Sequence, residues 1–240
     1  MYRRLICDGH RVRIYCLITI FLFSTLGSGC AGFLRHEHSS DPRDPWEGAN
    51  RAVFKFNESV DSKIFKPLAQ GYEKNVPQKM RMHITNFFSN LSDLMTAIQH
   101  ALQLDFRSST ESATRFLVNS TVGILGFNDV ASKFGVAKTD EDTGQTLGSY
   151  GVSTGPYVVL PLFGPSSVRD GLGGIVDLFA NPLNDIARDT ETKVAVNALK
   201  GVDARARVLS AEQAFEALAF DRYVAMRSAY FAIREAQIED

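Results

Sequence analysis

The chain is 240 residues long and carries 26 Lys+Arg against 27 Asp+Glu, a formal net charge of −1. So even a balance excludes the basic footprint that a phosphate backbone demands, and with it nucleic acid as a partner. The length suits one domain, or one with an appendage.

The N-terminus sets the compartment. Arg3, Arg4, Arg11 and Arg13 stand against a single acid, Asp8. Ile14 to Phe23 is apolar except for Thr19, and small residues from Ser24 to Gly29 lead to Cys30. A basic start, a short apolar run and a small-residue cleavage zone make a signal peptide over residues 1–29. The run is too short for a spanning helix, which takes about 20 apolar residues. Leu26-Gly27-Ser28-Gly29-Cys30-Ala31 resembles a bacterial lipobox, whose cysteine becomes diacylated, with the usual aliphatic displaced one step to Leu26. An ordinary secretory leader with an incidental cysteine is the alternative. Ala31, in place of an aspartate, resembles lipoproteins sorted to the outer membrane. Cys7 and Cys16 leave with the leader, so no internal disulfide and no cysteine-based site remains. The leader also removes four arginines and one acid, leaving 211 residues with a net charge of −4.

Residues 30–44 read as a polar tether. His36 and His38, two residues apart on it, are weak metal ligands alone, and a solvated linker is the favoured reading. From Trp46 the pattern turns helical: Val53, Phe56, Val60, Ile64 and Leu68 recur at spacings of three and four. Pro67 predicts an end or a bend. After Pro77, the series Ile84, Phe87, Phe88, Leu91, Leu94, Met95, Ile98 and Leu102 gives the widest apolar face in the chain. Ser109 with Glu111 predicts another helix start, running into an apolar, glycine-loosened stretch from Thr121 to Phe127. Thr190 and Glu191 open a further helix, Ser210 and Gln213 have capping-box spacing, and Asp221 starts the last helix. No long alternating run supports a sheet. Residues 45–240 therefore read as one all-α domain.

One segment is unusual. Thr143 to Val168 is uncharged throughout, with five glycines and three prolines. Those breakers forbid a straight spanning helix. Its apolar centre, Gly155 to Pro165, is either a buried connection or one wall of a lipid-facing cavity, because irregular backbone survives at membrane depth only in such places. The Gly171-x-Gly173-Gly174 that follows lacks the third glycine of a dinucleotide fingerprint. Asp140-Glu141-Asp142 reads as a solvated turn, and His83 and His100 read as structural. No Gly-x-Ser-x-Gly, His-Glu-x-x-His or phosphate loop occurs. The expectation is a protein without catalytic residues, metal or cofactor, and not an enzyme.

Several ordered motifs resemble the MlaA (VacJ) lipoprotein family. They are Asp44-Pro45-Trp46-Glu47-Gly48-Ala49-Asn50-Arg51, Phe54-x-Phe56-Asn57, Val76-Pro77, Arg115-Phe116-x-x-Asn119, Thr143-Gly144-Gln145-Thr146-Leu147-Gly148-x-Tyr150-Gly151 and Gly155-Pro156-Tyr157-x-x-Leu160-Pro161. Arg169-Asp170, Arg205 and Tyr230-Phe231 continue the match, which covers about residues 42–232. The resemblance implies a helical, ring-like domain around an amphipathic channel, lying in the periplasmic leaflet of the outer membrane. It implies trimeric porins as neighbours, and transfer of mislocalised outer-leaflet phospholipid to a periplasmic lipid carrier. Within that frame Cys30 is the acyl anchor. Tyr150, Gly151, Gly155, Pro156, Tyr157 and Pro161 are candidates for the channel or its loop. Arg169 is a candidate headgroup contact, with structural pairing to Asp170 as the leading alternative. A porin-binding envelope scaffold that moves no lipid is the competing function.

Overall fold

The computed structural model describes residues 41–183, 189–212 and 221–239. The signal peptide, Cys30, His36, His38 and Gln213 lie outside the described residues.

Helix α1, Glu47–Val60, passes into a π-widened turn, Asp61–Phe65, and then α2, Lys66–Asn75. Pro67 sits in the first turn of α2, where its missing N–H has no helical partner to lose. Helix α3, Gln78–Leu102, begins directly after Pro77. Helix α4, Phe106–Thr121, begins three residues before the predicted Ser109, because the Asp105 carboxylate accepts from the Ser108 amide at 3.1 Å. A short 3-10 turn, Ala131–Phe134, precedes α5, Thr143–Ser149. Helices α6, Val168–Ala180, α7, Thr190–Arg207, and α8, Arg222–Glu239, complete the described chain. Asp189 caps α7 through the Thr192 amide at 2.8 Å, and Asp221 receives the first amides of α8.

The fold is mostly helical, as expected, with one addition. β1, Tyr157–Leu160, and β2, Gly164–Ser167, pair antiparallel, Leu160 opposite Gly164. Three residues close the hairpin, with Leu162 (φ 68°) and Gly164 (φ 86°) left-handed. The segment that offered two readings is thus a buried strand with an exposed tip: Tyr157 and Val159 are buried, while Leu162 and Phe163 are open.

Two contacts fix this hairpin from α1. Asn50 donates to the Tyr157 carbonyl at 3.0 Å and accepts from the Val159 amide at 2.9 Å. At the end of β1 and in the loop beyond it, Asn57 donates to the Leu160 carbonyl at 2.9 Å and accepts from the Leu162 amide at 2.8 Å. Beneath them, Asp44 is fully buried and accepts from Asn50 (2.8 Å), Arg227 (2.7 Å) and Tyr223. Tyr157, Val159, Tyr223 and Phe231 form the larger apolar core, and Ala69, Ala206 and Leu209 a smaller one. Helices α5 and α6 cross where glycines meet: a Cβ on Gly173 would lie 2.6 Å from the Gly144 nitrogen.

The orientation of α3 differs from expectation. The face turned inward carries Asn90, Asp93, Thr96, Gln99 and His100, together with Phe88 and Ala97, whereas Ile98 and Leu102 are exposed. Arg115 on α4 meets this face, also fully buried, with Nε 3.3 Å from Asp93 and an amino group 3.1 Å from Asp129. The C-terminal end of the apolar stripe, Ile98 and Leu102, faces out because the polar stripe finds buried partners that leave it few unpaired groups.

Candidate functional site

Burial in this protein is inverted relative to a domain that meets only water. Among the described residues, more polar and charged side chains than apolar ones are buried. Large apolar side chains instead cover the outside: Leu172, Ile175, Val176, Leu178 and Phe179 on α6, Leu162 and Phe163 at the hairpin tip, and Val122, Ile124 and Leu125 after α4. Isolated exposed hydrophobics are ordinary, but contiguous ones mark an interaction surface. Ile124 (φ 56°) and Leu125 (φ 55°) are also held left-handed, a conformation that costs a β-branched residue in particular. No helix among the described residues is long and apolar enough to cross a membrane.

Inside this shell lies a cavity of about 310 Å³. Leu91 and Met95 of α3 line one part, and Pro182, Leu183 and Lys200 of α7 line another. The Asp140–Asp142 segment, Gln145, Asp177 and Gln237 supply its polar groups. The acidic segment is therefore not a solvated turn. Asp142 caps α5 at the Gln145 amide (2.8 Å) and takes a two-pronged contact from Arg234 of α8 at 2.7 and 2.9 Å. Burial pushes the Asp142 carboxyl up, but the Arg234 fork outweighs it and holds the group below its ordinary 3.8. Glu141 behaves oppositely: burial raises its carboxyl, against a single hydrogen bond from Gln103 at 2.8 Å. Asp177 accepts from the Thr143 hydroxyl and amide and from Gln99. Lys200 makes no hydrogen bond or ion pair among the described residues, and burial lowers its ammonium pKa.

The channel, loop and headgroup candidates from the sequence lie elsewhere in the fold, and none of them lines the cavity. Tyr150 is exposed and its hydroxyl donates to the Leu102 carbonyl, tying α5 to the end of α3. Gly151 (φ 82°) and Gly155 (φ 70°) are turn glycines in left-handed backbone. Pro156 is half-buried just before β1, and Pro161 opens the exposed hairpin loop. Tyr157 is fully buried against Tyr223, Tyr230 and Phe231. Arg169 is buried, with Nε 2.8 Å from Asp170 and one amino group donating to the Val152 carbonyl at 3.2 Å. That is the structural pairing with Asp170. Lys200 carried no sequence signal, and Glu141 stood out only as part of the acidic run read as a solvated turn.

Comparison with known proteins places this geometry among relatives. The family profile described as MlaA lipoprotein matches residues 42–237. The chain is 37% identical over 197 residues to an uncharacterized protein of Rickettsia conorii, covering 82% of this chain and 78% of that one. It is 34% identical over 219 residues to the intermembrane phospholipid transport system lipoprotein MlaA of Escherichia coli, covering 90% of this chain and 85% of the relative. A chain solved in work on the structural basis for maintenance of bacterial outer membrane lipid asymmetry superposes with a TM-score of 0.71 at 31% identity. The match covers 81% of this chain and 98% of that one.

Proposed function

Because the chain belongs to the MlaA lipoprotein family, we propose that it takes mislocalised phospholipid from the outer leaflet of the outer membrane and passes it to a periplasmic carrier. It does so without chemistry, as a transport component and not as an enzyme. The protein lies in the periplasmic leaflet, anchored by acylated Cys30, beside trimeric porins. More than one acyl chain makes such an anchor lasting.

The inverted burial carries this reading. A domain with polar groups inside and Leu, Ile and Phe outside is stable where hydrocarbon covers the exterior. With no helix among the described residues long and apolar enough to span, immersion in one leaflet supplies that cover. A lipid changing leaflets must carry its headgroup through hydrocarbon, at a cost of several kcal/mol for each unsatisfied polar group. An amphipathic passage among Asp, Gln, Thr and Lys side chains removes most of that cost and needs no bond to break.

Lipid recovered with the purified full-length protein tests this directly. Intact phospholipid, identified by mass spectrometry, is the expected result. Recovery of lysophospholipid indicates an enzyme, and recovery of no phospholipid indicates an envelope scaffold.

A further inference from the structure

Two groups in the cavity stand out by what they lack. Lys200 has no anion partner among the described residues, and Glu141 takes a hydrogen bond from Gln103 at 2.8 Å but forms no ion pair there, Arg234 and His100 acting on it only at longer range. They do not pair with each other. The neighbouring charges are already engaged: Asp142 with Arg234 at 2.7 Å, Asp140 with Lys138 at 2.9 Å, and Asp177 with the Thr143 amide and hydroxyl and Gln99. Half-buried charges without an ion pair are costly, so a ligand that answers both is favoured over one that answers either alone.

Building on the phospholipid-transport reading, we infer that this cavity is a headgroup site for zwitterionic glycerophospholipid, with the lipid phosphate on Lys200 and the headgroup amine on Glu141. The phosphate accepts charge-assisted hydrogen bonds from the ammonium, and the amine donates to the carboxylate. An anionic headgroup satisfies Lys200 but leaves Glu141 unanswered and brings a second negative charge toward it. Inorganic phosphate has the same shortcoming. Leu91, Met95 and Leu183 offer apolar contact to the glycerol and the roots of the acyl chains. At about 310 Å³ the cavity is at the small end for ligand sites, which run to about 1,000 Å³. It therefore holds the headgroup while the acyl chains leave by the mouth.

The experiment incubates full-length protein with vesicles of equimolar phosphatidylethanolamine and phosphatidylglycerol, then quantifies the lipid that stays bound. Wild type is expected to enrich phosphatidylethanolamine. Lys200→Gln lowers bound lipid about tenfold, while Lys200→Arg retains it. Glu141→Gln keeps binding but loses the headgroup preference. Excess inorganic phosphate leaves the bound lipid in place. Circular dichroism showing wild-type melting for each variant separates these effects from misfolding. Wild type binding both lipids equally, variants matching wild type, or displacement by inorganic phosphate each overturn the headgroup site while leaving lipid handling intact. Wild type that retains no phospholipid at all overturns the transport reading itself.

Discussion

Asn50 and Asn57 stand two turns apart on one face of α1, and each grips the hairpin as a neighbouring strand would, through one carbonyl and one amide. The side chains thus satisfy backbone groups along β1 that β2 does not reach. Asn50 is buried and Asn57 is not. Asn50→Ala leaves the Tyr157 carbonyl and the Val159 amide unpaired in the core, and should cost about 3 kcal/mol. Asn57→Ala, whose backbone partners can reach solvent, should cost about 1 kcal/mol. Chemical denaturation followed by circular dichroism measures both, and equal losses would contradict this assignment.

Arg115 is the hinge of the buried charge cluster between α3 and α4. It contacts Asp93, Asp129, Ser132 and the Val136 carbonyl. Arg115→Met strands the buried Asp93 with Lys138 alone and should destabilise by about 3–5 kcal/mol. Arg115→Lys should not recover most of that loss, because an ammonium cannot hold both carboxylates in the geometry of the guanidinium fork. Unfolding midpoints of the two variants decide the matter; a full rescue by lysine would show that charge alone suffices.

Acid should unfold the protein through Asp170. Burial pushes this carboxyl up, yet hydrogen bonds from Arg234, Arg169 and Tyr230 win and bring it down to about 2 from 3.8. A pKa depressed in the folded state means stability that is full above about pH 4 and is lost as pH falls toward 2. Asp129, also held at about 2, adds in the same window. Melting temperature against pH should therefore drop steeply below 4. Asp170→Asn should melt lower than wild type at neutral pH and show a shallower acid decline; an unchanged slope would remove Asp170 from the account.

Phe163 and Phe179 are 77% and 79% exposed. If hydrocarbon covers them, each contributes on the order of 2 kcal/mol to membrane association. In a Cys30→Ala form, which lacks the acyl anchor, Phe163→Gln or Phe179→Gln should weaken partition into vesicles by roughly thirtyfold. Flotation with vesicles reads this, and unchanged partition would place both rings in water.

Most of the longer helices were legible in the sequence, because apolar spacing and a Pro or Asp at the start are local signals; the glycine-rich α5 and α6, and the capping side chains Asp105, Asp142, Ser167 and Asp189, were not. The orientation of α3 was not. Periodicity distinguishes two faces but does not say which one meets protein, and here Asn90, Asp93 and Gln99 turn inward while Ile98 and Leu102 turn out. The hairpin escaped notice for a related reason. β2 reads Gly-Pro-Ser-Ser, with little strand propensity, and β1 is held by asparagines more than 100 positions away. The acidic segment looked solvated because Arg234, which neutralises Asp142, lies 92 residues downstream. The partnerless state of Lys200 is visible only once its surroundings are assembled.

The most direct test of lipid removal is phospholipid in the outer leaflet of cells lacking this protein, with rescue by wild type and by Cys30→Ala. Deletion is expected to raise outer-leaflet phospholipid, wild type to restore the normal level, and the unanchored form to leave it raised. Outer-leaflet phospholipid that stays at its normal level after deletion would contradict lipid removal by this protein.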